Sequence, residues 1–488
     1  MAFDEGYYIL QAKWILENND WISPKYWQEL ALDRTNSIQS LIAFSQNIFG
    51  NNSFSTYLPN IFSGLIMLFL TYQIHKELIE KKYAIFSSLI LSTTFLWVNY
   101  FHMATQDIIF GTLVTLGVYS TIKGCKNKKN IYFLFSGAWI GLSVFLKTYL
   151  TAIPLIAIFP FLKSSKILYK KYFWIGTFLG FIPFLIWSNN IIATYGFETY
   201  SGLYNKLIVL SKENNFTNPF YYYGWNLILN SFPWSIFSII GFLNNLKIKD
   251  KISKYFLLYY PSIIMIFLSI FSTKTPYYPI QILSIISINT YLGLVYIFSK
   301  ENVFIIYFKK IFFRVFSFTL IFLIFFLNTQ EYFAEFNLIF KILINFSLFI
   351  FGISWLILPS IKNIKNQLIL VLVGPYLMFS TVVQSGLLSD RSKDIRIESE
   401  AIIRRESLQK KKIEFILGDF MDEEANNKLI KIAIFMPNIG NGINSINNMK
   451  TGQYAWTVLS NEDIKNKKSF KIKADSAILK PWKLIVKE

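Results

Sequence analysis

Asp107, Lys147 and Lys274 stand inside or beside apolar stretches of the sequence. An ionised group at membrane depth is expensive, so such residues are as a rule functional or paired. Each of the three falls at the end of its stretch that is expected on the non-cytoplasmic face, the edge that Asp4, Glu5, Asp33 and Arg34 also occupy. Carboxylates and cations at one aqueous edge suit an enzyme that works on a lipid headgroup. Plainer readings stand beside that one. The stems of Lys147 and Lys274 can snorkel to the headgroups from an apolar position, and Asp107 can serve as a helix N-cap. Tyr222 and Tyr223 in NPFYYYGWN (218–226), with Tyr277 and Tyr278 in KTPYY (274–278), lie at the same depth. They read either as belt aromatics or as rings on which a sugar stacks.

The elements that position these groups follow from composition. Of 488 residues, 53% are hydrophobic, 18% aromatic and 16% charged, where a soluble domain carries roughly 25% charged residues. A soluble fold of this length is excluded. One Cys and two His leave no material for a disulfide framework, a Cys cluster or a His-based triad. The chain is predicted to be an all-α polytopic membrane protein with a small mixed α/β domain at its C-terminus.

A helix needs about 20 apolar residues to cross the hydrocarbon layer. Twelve stretches qualify, near 53–74, 84–101, 107–122, 131–147, 149–162, 172–192, 226–243, 255–272, 278–298, 311–328, 342–359 and 367–388. The short pair 131–147 and 149–162 has the form of a broken or re-entrant span. Alternate loops carry 21 Lys or Arg against four acids, whereas residues 1–52 carry three bases and six acids. Basic loops stay cytoplasmic, so residues 1–52, the 193–225 loop and the segment after 388 are expected outside.

Three parts result: a non-cytoplasmic loop region with interfacial helices (1–52), a membrane body (53–388) and a soluble C-terminal domain (389–488). Within the first, YYILQAKWILENNDW and SIQSLIAFSQNIFG are too short or too polar to span, and are expected to lie along the interface as a roof over an outward-opening cavity. In the last, 411–420, 428–438, 454–460 and 469–488 read as strands, separated by a turn-rich loop at 438–453. The chain opens polar, with no span before Asp4. Either the first long span inserts with its N-terminus outside, or a thirteenth helix precedes Met1; we favour the second.

In their order, these residues resemble the membrane glycosyltransferases of the protein-mannosyltransferase and aminoarabinose-transferase group, the GT-C enzymes that use polyprenyl-phosphate sugars. The likeness runs through FDEGYYILQAKWILENNDWISPKYWQEL (3–30), LDRTNSIQSLIAFSQNIFG (32–50), ATQDIIFGTLVTLG (104–117), GLSVFLKTYLTAIPL (141–155), NPFYYYGWNLILNSFPWSIF (218–237) and STKTPYYPIQILSI (272–285). That family has a span just before its Asp-Glu, hence the expectation of a helix before Met1. Thr35 and Asn36 stand where the family has two prolines, and Thr148 and Tyr149 where it has Gly-Pro.

The resemblance implies transfer of a sugar from a polyprenyl-phosphate donor to a lipid, glycan or protein acceptor at the outer face of a bacterial plasma membrane. It places catalytic carboxylates at Asp4, Glu5 and Asp107, and phosphate-binding cations at Arg34, Lys147 and Lys274. Fixed cations would stabilise the leaving phosphate, and Asp4 would take the acceptor proton. One-step displacement at the anomeric carbon would invert it. Asp4, Glu5 and Asp107 also offer the oxygen ligands that a divalent cation prefers, without establishing metal dependence. The excess of basic residues meets anionic membrane lipid, and nucleic acid is not an expected partner. Two alternatives remain: a multi-span transporter of lipid or solute, and an inactive scaffold relative.

Overall fold

The computed structural model describes residues 3–27, 29–212, 217–334, 337–417, 423–459 and 469–488. The chain divides into two compact units, one made of 1–58 with 390–488 and the other of 59–389. Helices α1 (Phe3–Asn18) and α2 (Ser37–Phe49) belong to the first, and α3 (Ser53–Leu78) runs into the second.

The membrane unit continues with α4 (Ala84–Ser92), α5 (Phe95–Tyr100), α6 (Gln106–Asn127), α7 (Asn130–Lys147), α8 (Ala152–Ser164), α9 (Lys171–Tyr195) and α10 (Tyr200–Lys212). Next come α11 (Tyr222–Asn230), α12 (Ser235–Asn244) and α13 (Lys251–Lys254), the last leading through a π-helical turn into α14 (Tyr260–Ile270). The unit ends with α15 (Leu283–Ser299), α16 (Val303–Asn328), α17 (Glu331–Ala334), α18 (Leu338–Ile357) and α19 (Ile364–Gln384).

All twelve apolar stretches are helical over most of their length. Among the described residues, nine helices are long and apolar enough to cross a membrane, or ten with one bent pair. The difference from twelve has local causes. The 84–101 stretch breaks at Thr93 and Thr94, whose hydroxyls turn back onto the carbonyls of Leu89 and Ile90 and compete with the helix ladder. The Trp234 indole donates to the Thr93 carbonyl at 3.1 Å, and Phe95 N–H to the Phe232 carbonyl at 3.0 Å. The 226–243 stretch bends by 114° between α11 and α12, next to Pro233, which has no N–H to give. The expected broken pair, α7 and α8, is taken together as Asn130–Ser164 in that number, but the chain folds back at Thr148. Lys147 meets Asp107 at the start of α6, whereas Lys170, just past α8, lies 5.9 Å from the Phe133 ring near the start of α7.

Glycines set the closest approach in this unit. A Cβ on Gly176 would lie 1.9 Å from the Leu134 carbonyl oxygen, and one on Gly141 2.2 Å from the Phe181 nitrogen. Gly137 and Gly141 on α7 thus meet Gly176 and Gly180 on α9, a reciprocal pair of small-residue patterns that lets two backbones touch where lipid gives no hydrophobic drive. Trp355 is fully buried among Phe312, Phe313, Phe316 and Phe351.

In the first unit, a four-stranded sheet is ordered β3 (Ile413–Phe415), β4 (Tyr454–Val458), β6 (Trp482–Lys487), β5 (Phe470–Asp475). β3 and β4 are parallel and the other neighbours antiparallel. A short pair, β1 (Lys25–Tyr26) and β2 (Glu29–Leu30), stands between α1 and α2. Helices α20 (Lys393–Arg405) and α21 (Glu423–Phe435) complete the unit.

The strand expected at 428–438 is therefore corrected: most of it is α21. Leu429, Ile430, Ile432, Ala433 and Met436 are all buried, a spacing that closes on a helix face and leaves no polar alternation for a half-buried strand. Helix α1 packs into the same core. Leu10, Trp14 and Trp27 share it with Phe415, Leu429, Trp456 and Trp482.

Candidate functional site

In the first unit Arg34 is the centre. Its guanidinium donates to Asp33 Oδ2 at 2.9 Å and to Asp4 Oδ1 at 3.0 Å, and also meets the Tyr8 hydroxyl. It lies 5.1 Å from the centre of the Tyr7 ring and 5.0 Å from that of Tyr8, within cation–π range. Burial opposes its charge, but facing Tyr8, Asp4 and Asp33 hold its pKa well above the ordinary arginine value. Arg34 therefore keeps a full charge at every working pH.

The neighbours are held by the same core. The Tyr7 hydroxyl donates to Asp33 Oδ1 at 3.4 Å, its ring sits 5.2 Å from that of Tyr26, and the Tyr26 hydroxyl donates to Asn426 Oδ1 at 2.6 Å. Burial raises the Tyr7 phenol pKa far above its usual range and pushes that of Tyr26 up to about 12. Both therefore stay hydrogen-bond donors. Glu5 is buried and hydrogen-bonded to Tyr57. It points away from the role of an exposed base, whereas the Asp4 side chain is 42% accessible.

In the membrane unit the second carboxylate and the second cation meet. Asp107 is in the first turn of α6, where the helix dipole favours a negative charge, and Lys147 closes α7. Their side chains form a buried ion pair. Neither plain reading describes them. The N-cap of α6 is Thr105, and the Lys147 ammonium turns to Asp107 instead of snorkelling. Tyr277 and Tyr278 complete the setting, with ring centres 5.1 and 5.7 Å from Lys147 Nζ. A narrow cleft is lined by Asp107, Phe110, Lys147, Leu150, Tyr277 and Tyr278, among others.

The other expected residues are engaged differently. Lys274 is 4% exposed, and its ammonium donates to the carbonyls of Phe271 at 2.5 Å, Asn218 at 2.8 Å and Ser272 at 3.5 Å. Burial lowers its pKa. These bonds pin the 271–274 turn to the segment before α11, and a phosphate would have to compete with them. Tyr223 is fully buried and donates to the Thr275 carbonyl at 3.0 Å. Tyr222 accepts from Asn226 at 3.1 Å, and Asn230 donates to Asn226 at 2.8 Å. This amide ladder on α11 was not singled out from the sequence, although its spacing of four is legible there. Among the described residues, no group of three or more His, Cys, Asp or Glu could hold a metal ion.

One backbone feature sits beside Lys147. Thr148 has φ of 42° and ψ of −115°, a region that costs a β-branched residue about 1–3 kcal/mol. It stands where the resembled family has glycine. Thr148→Gly is expected to stabilise the membrane unit by about 1 kcal/mol, the relieved strain exceeding the entropy that glycine loses on folding. Thermal unfolding of the detergent-solubilised protein checks this, and an unchanged or lowered midpoint would contradict it.

Comparison with known proteins agrees with this architecture. Residues 35–187 match the family model of dolichyl-phosphate-mannose-protein mannosyltransferases. The structure is similar to ArnT from Cupriavidus metallidurans in its crystal structure bound to undecaprenyl phosphate. The TM-score is 0.74 at 13% identity, covering 99% of this chain and 93% of that one. The apo state of the same protein gives 0.74 at 12% identity with the same coverage. An uncharacterized protein of Aquifex aeolicus (strain VF5) is 24% identical over 292 residues, 56% of each chain; the chain thus spans just over half the length of that curated relative. The chain is an integral membrane protein with the GT-C fold of ArnT and a small mixed domain near its C-terminus, and over residues 35–187 it is similar to the dolichyl-phosphate-mannose-protein mannosyltransferases.

Proposed function

We propose that this protein transfers a sugar from a polyprenyl-phosphate donor to an acceptor at the outer face of the membrane. The observation that carries the reading is Arg34, a permanent cation flanked by two tyrosine rings and bridged to the accessible carboxylate Asp4. A guanidinium can hold a phosphate through two parallel hydrogen bonds. In the resting protein Asp4 occupies part of that fork. A bound donor phosphate would take over the guanidinium and release the Asp4 carboxylate toward the acceptor.

The bond changes are then simple. The acceptor hydroxyl oxygen attacks the anomeric carbon, the carbon–oxygen bond to phosphate breaks, and the hydroxyl proton passes to Asp4. The polyprenyl phosphate leaves with the negative charge, which Arg34 stabilises more as it develops than before. Inversion follows from the single displacement. In the membrane unit, the Lys147–Asp107 pair beside Tyr277 and Tyr278 has the composition of a polar sugar- or phosphate-recognition element. Lys274 would serve by holding its turn, and Tyr222 and Tyr223 by supporting it.

The experiment is transfer itself. Membranes carrying the full chain would be incubated with a panel of labelled polyprenyl-phosphate sugars, and lipid, glycan and protein fractions analysed for label and anomeric configuration. Covalently attached, inverted sugar is the expected product from at least one donor. Label that crosses sealed vesicles without becoming attached would favour a transporter instead. A retained configuration would overturn the one-step displacement.

A further inference from the structure

In the membrane unit a second cavity lies at the lysine-rich ends of α8, α12 and α13. It has a volume of about 640 Å³, within the size range of small-molecule sites. Lys247, Lys249, Lys251 and Lys254 line it, together with Phe161, Leu246, Ile248, Tyr255 and Tyr259. Lysines at this end of a helical body are what topology alone requires. Three features go beyond that requirement.

First, four lysines line one hollow. Second, the acid of this segment, Asp250, caps α13 by accepting the Ser253 N–H at 2.8 Å, and its single negative charge leaves the four lysines in excess. Third, the same cavity has an apolar wall that is open. Leu246 is 58% and Tyr259 51% exposed, while the Tyr255 hydroxyl is fixed on the Ala157 carbonyl at 2.7 Å. Four like charges held together repel one another unless an anion lies among them. A free inorganic anion would satisfy the lysines but make no use of the apolar wall. A phosphate attached to acyl chains satisfies both.

We infer that this cavity binds an anionic glycerophospholipid, its phosphate headgroup among Lys247, Lys249, Lys251 and Lys254 and the start of its chains against Leu246, Tyr255 and Tyr259. Basic hollows between helix ends are suited to such headgroups. The site stands apart from the transfer reaction proposed above and does not depend on it. Its role would be to fix the α12–α13 connection to the bilayer, since both ends of that connection contribute lysines.

Binding is tested on the full chain in a neutral detergent by native mass spectrometry, with phosphatidylglycerol, phosphatidylcholine and inorganic phosphate as separate probes. Phosphatidylglycerol is expected to remain bound to the parent at occupancies at least fivefold above those of phosphatidylcholine. The quadruple variant Lys247→Gln, Lys249→Gln, Lys251→Gln, Lys254→Gln is expected to lose that excess. An equal-charge control, Lys128→Gln, Lys129→Gln, Lys362→Gln, Lys365→Gln, is expected to keep it. The pair Lys247→Gln, Lys249→Gln, which leaves α13 untouched, is expected to show an intermediate loss and covers a quadruple variant that does not fold. Equal loss in the control would mean a diffuse field, and displacement of the lipid by millimolar inorganic phosphate would mean a simple anion site. Either result, or equal retention of the two lipids, overturns the inference.

Discussion

Asp4→Asn is expected to lower the turnover rate of sugar transfer by roughly 10²–10⁴-fold, the range that general-base assistance supplies. The substitution is chosen for what it keeps. An asparagine oxygen can still accept the Arg34 Nη1 bond that Asp4 Oδ1 makes at 3.0 Å, and Asp33 Oδ2 holds the same guanidinium at 2.9 Å. Arg34 therefore stays in place while the proton acceptor is lost. The deficit should fall on kcat, with donor KM changed by less than about threefold, because an interaction made only in the transition state lowers kcat without weakening ground-state binding. Asp4→Ala removes the bond as well as the proton acceptor and should lose at least as much kcat. Parent-like turnover in the asparagine variant would take Asp4 out of proton transfer. A KM effect alone would make it a positioning residue for Arg34.

Trp27→Ala should cost the first unit about 3–5 kcal/mol, as for other large buried aromatics truncated to alanine. Trp27 is 5% exposed, and its ring centre lies 5.0 Å from Phe415 and 5.3 Å from Trp14. It thus joins the segment that carries Arg34 to a core made mainly by the last hundred residues. Tyr26, its neighbour, continues the link through Asn426 on one side and the Tyr7 ring on the other. The consequence is cooperative. Hydrogen exchange should accelerate together in peptides from 3–34 and from 413–458, while α15 and α18 of the membrane unit keep their protection. Transfer activity should fall with it, since Asp4 and Arg34 would lose their support. If only the 413–458 peptides exchanged faster, the two ends of the chain would not form one cooperative core, and the link through Trp27 would be unimportant.

These two effects differ in how visible they were beforehand. Asp4 and Arg34 can be singled out by their type and place, because charge is scarce in this chain and each charged residue near an apolar stretch needs a reason. The importance of Trp27 cannot be seen that way among 12 Trp and 49 Phe. Its partner Phe415 lies far along the chain, and composition carries no signal for such a pairing.

The sequence by itself determined the class of the molecule: the apolar content and the length of the stretches demand a helical membrane body. It also showed that charge density rises sharply after Leu388, but not that residues 390–488 belong to one compact unit with 1–58. Hydropathy is additive along the chain, so these features survive without any knowledge of contacts. Tertiary structure decided what hydropathy cannot express. It turned 84–101 into two short helices, because Thr93 and Thr94 found carbonyls of their own turn and Trp234 took up the Thr93 carbonyl. It made 428–438 mostly helical by burying positions one, three and four apart on one core. It set Lys147 onto Asp107, 40 residues away, and turned Lys274 onto three carbonyls. A charge in an apolar run announces that it must be compensated, but its partner is chosen by which helix ends come together, and that choice belongs to packing.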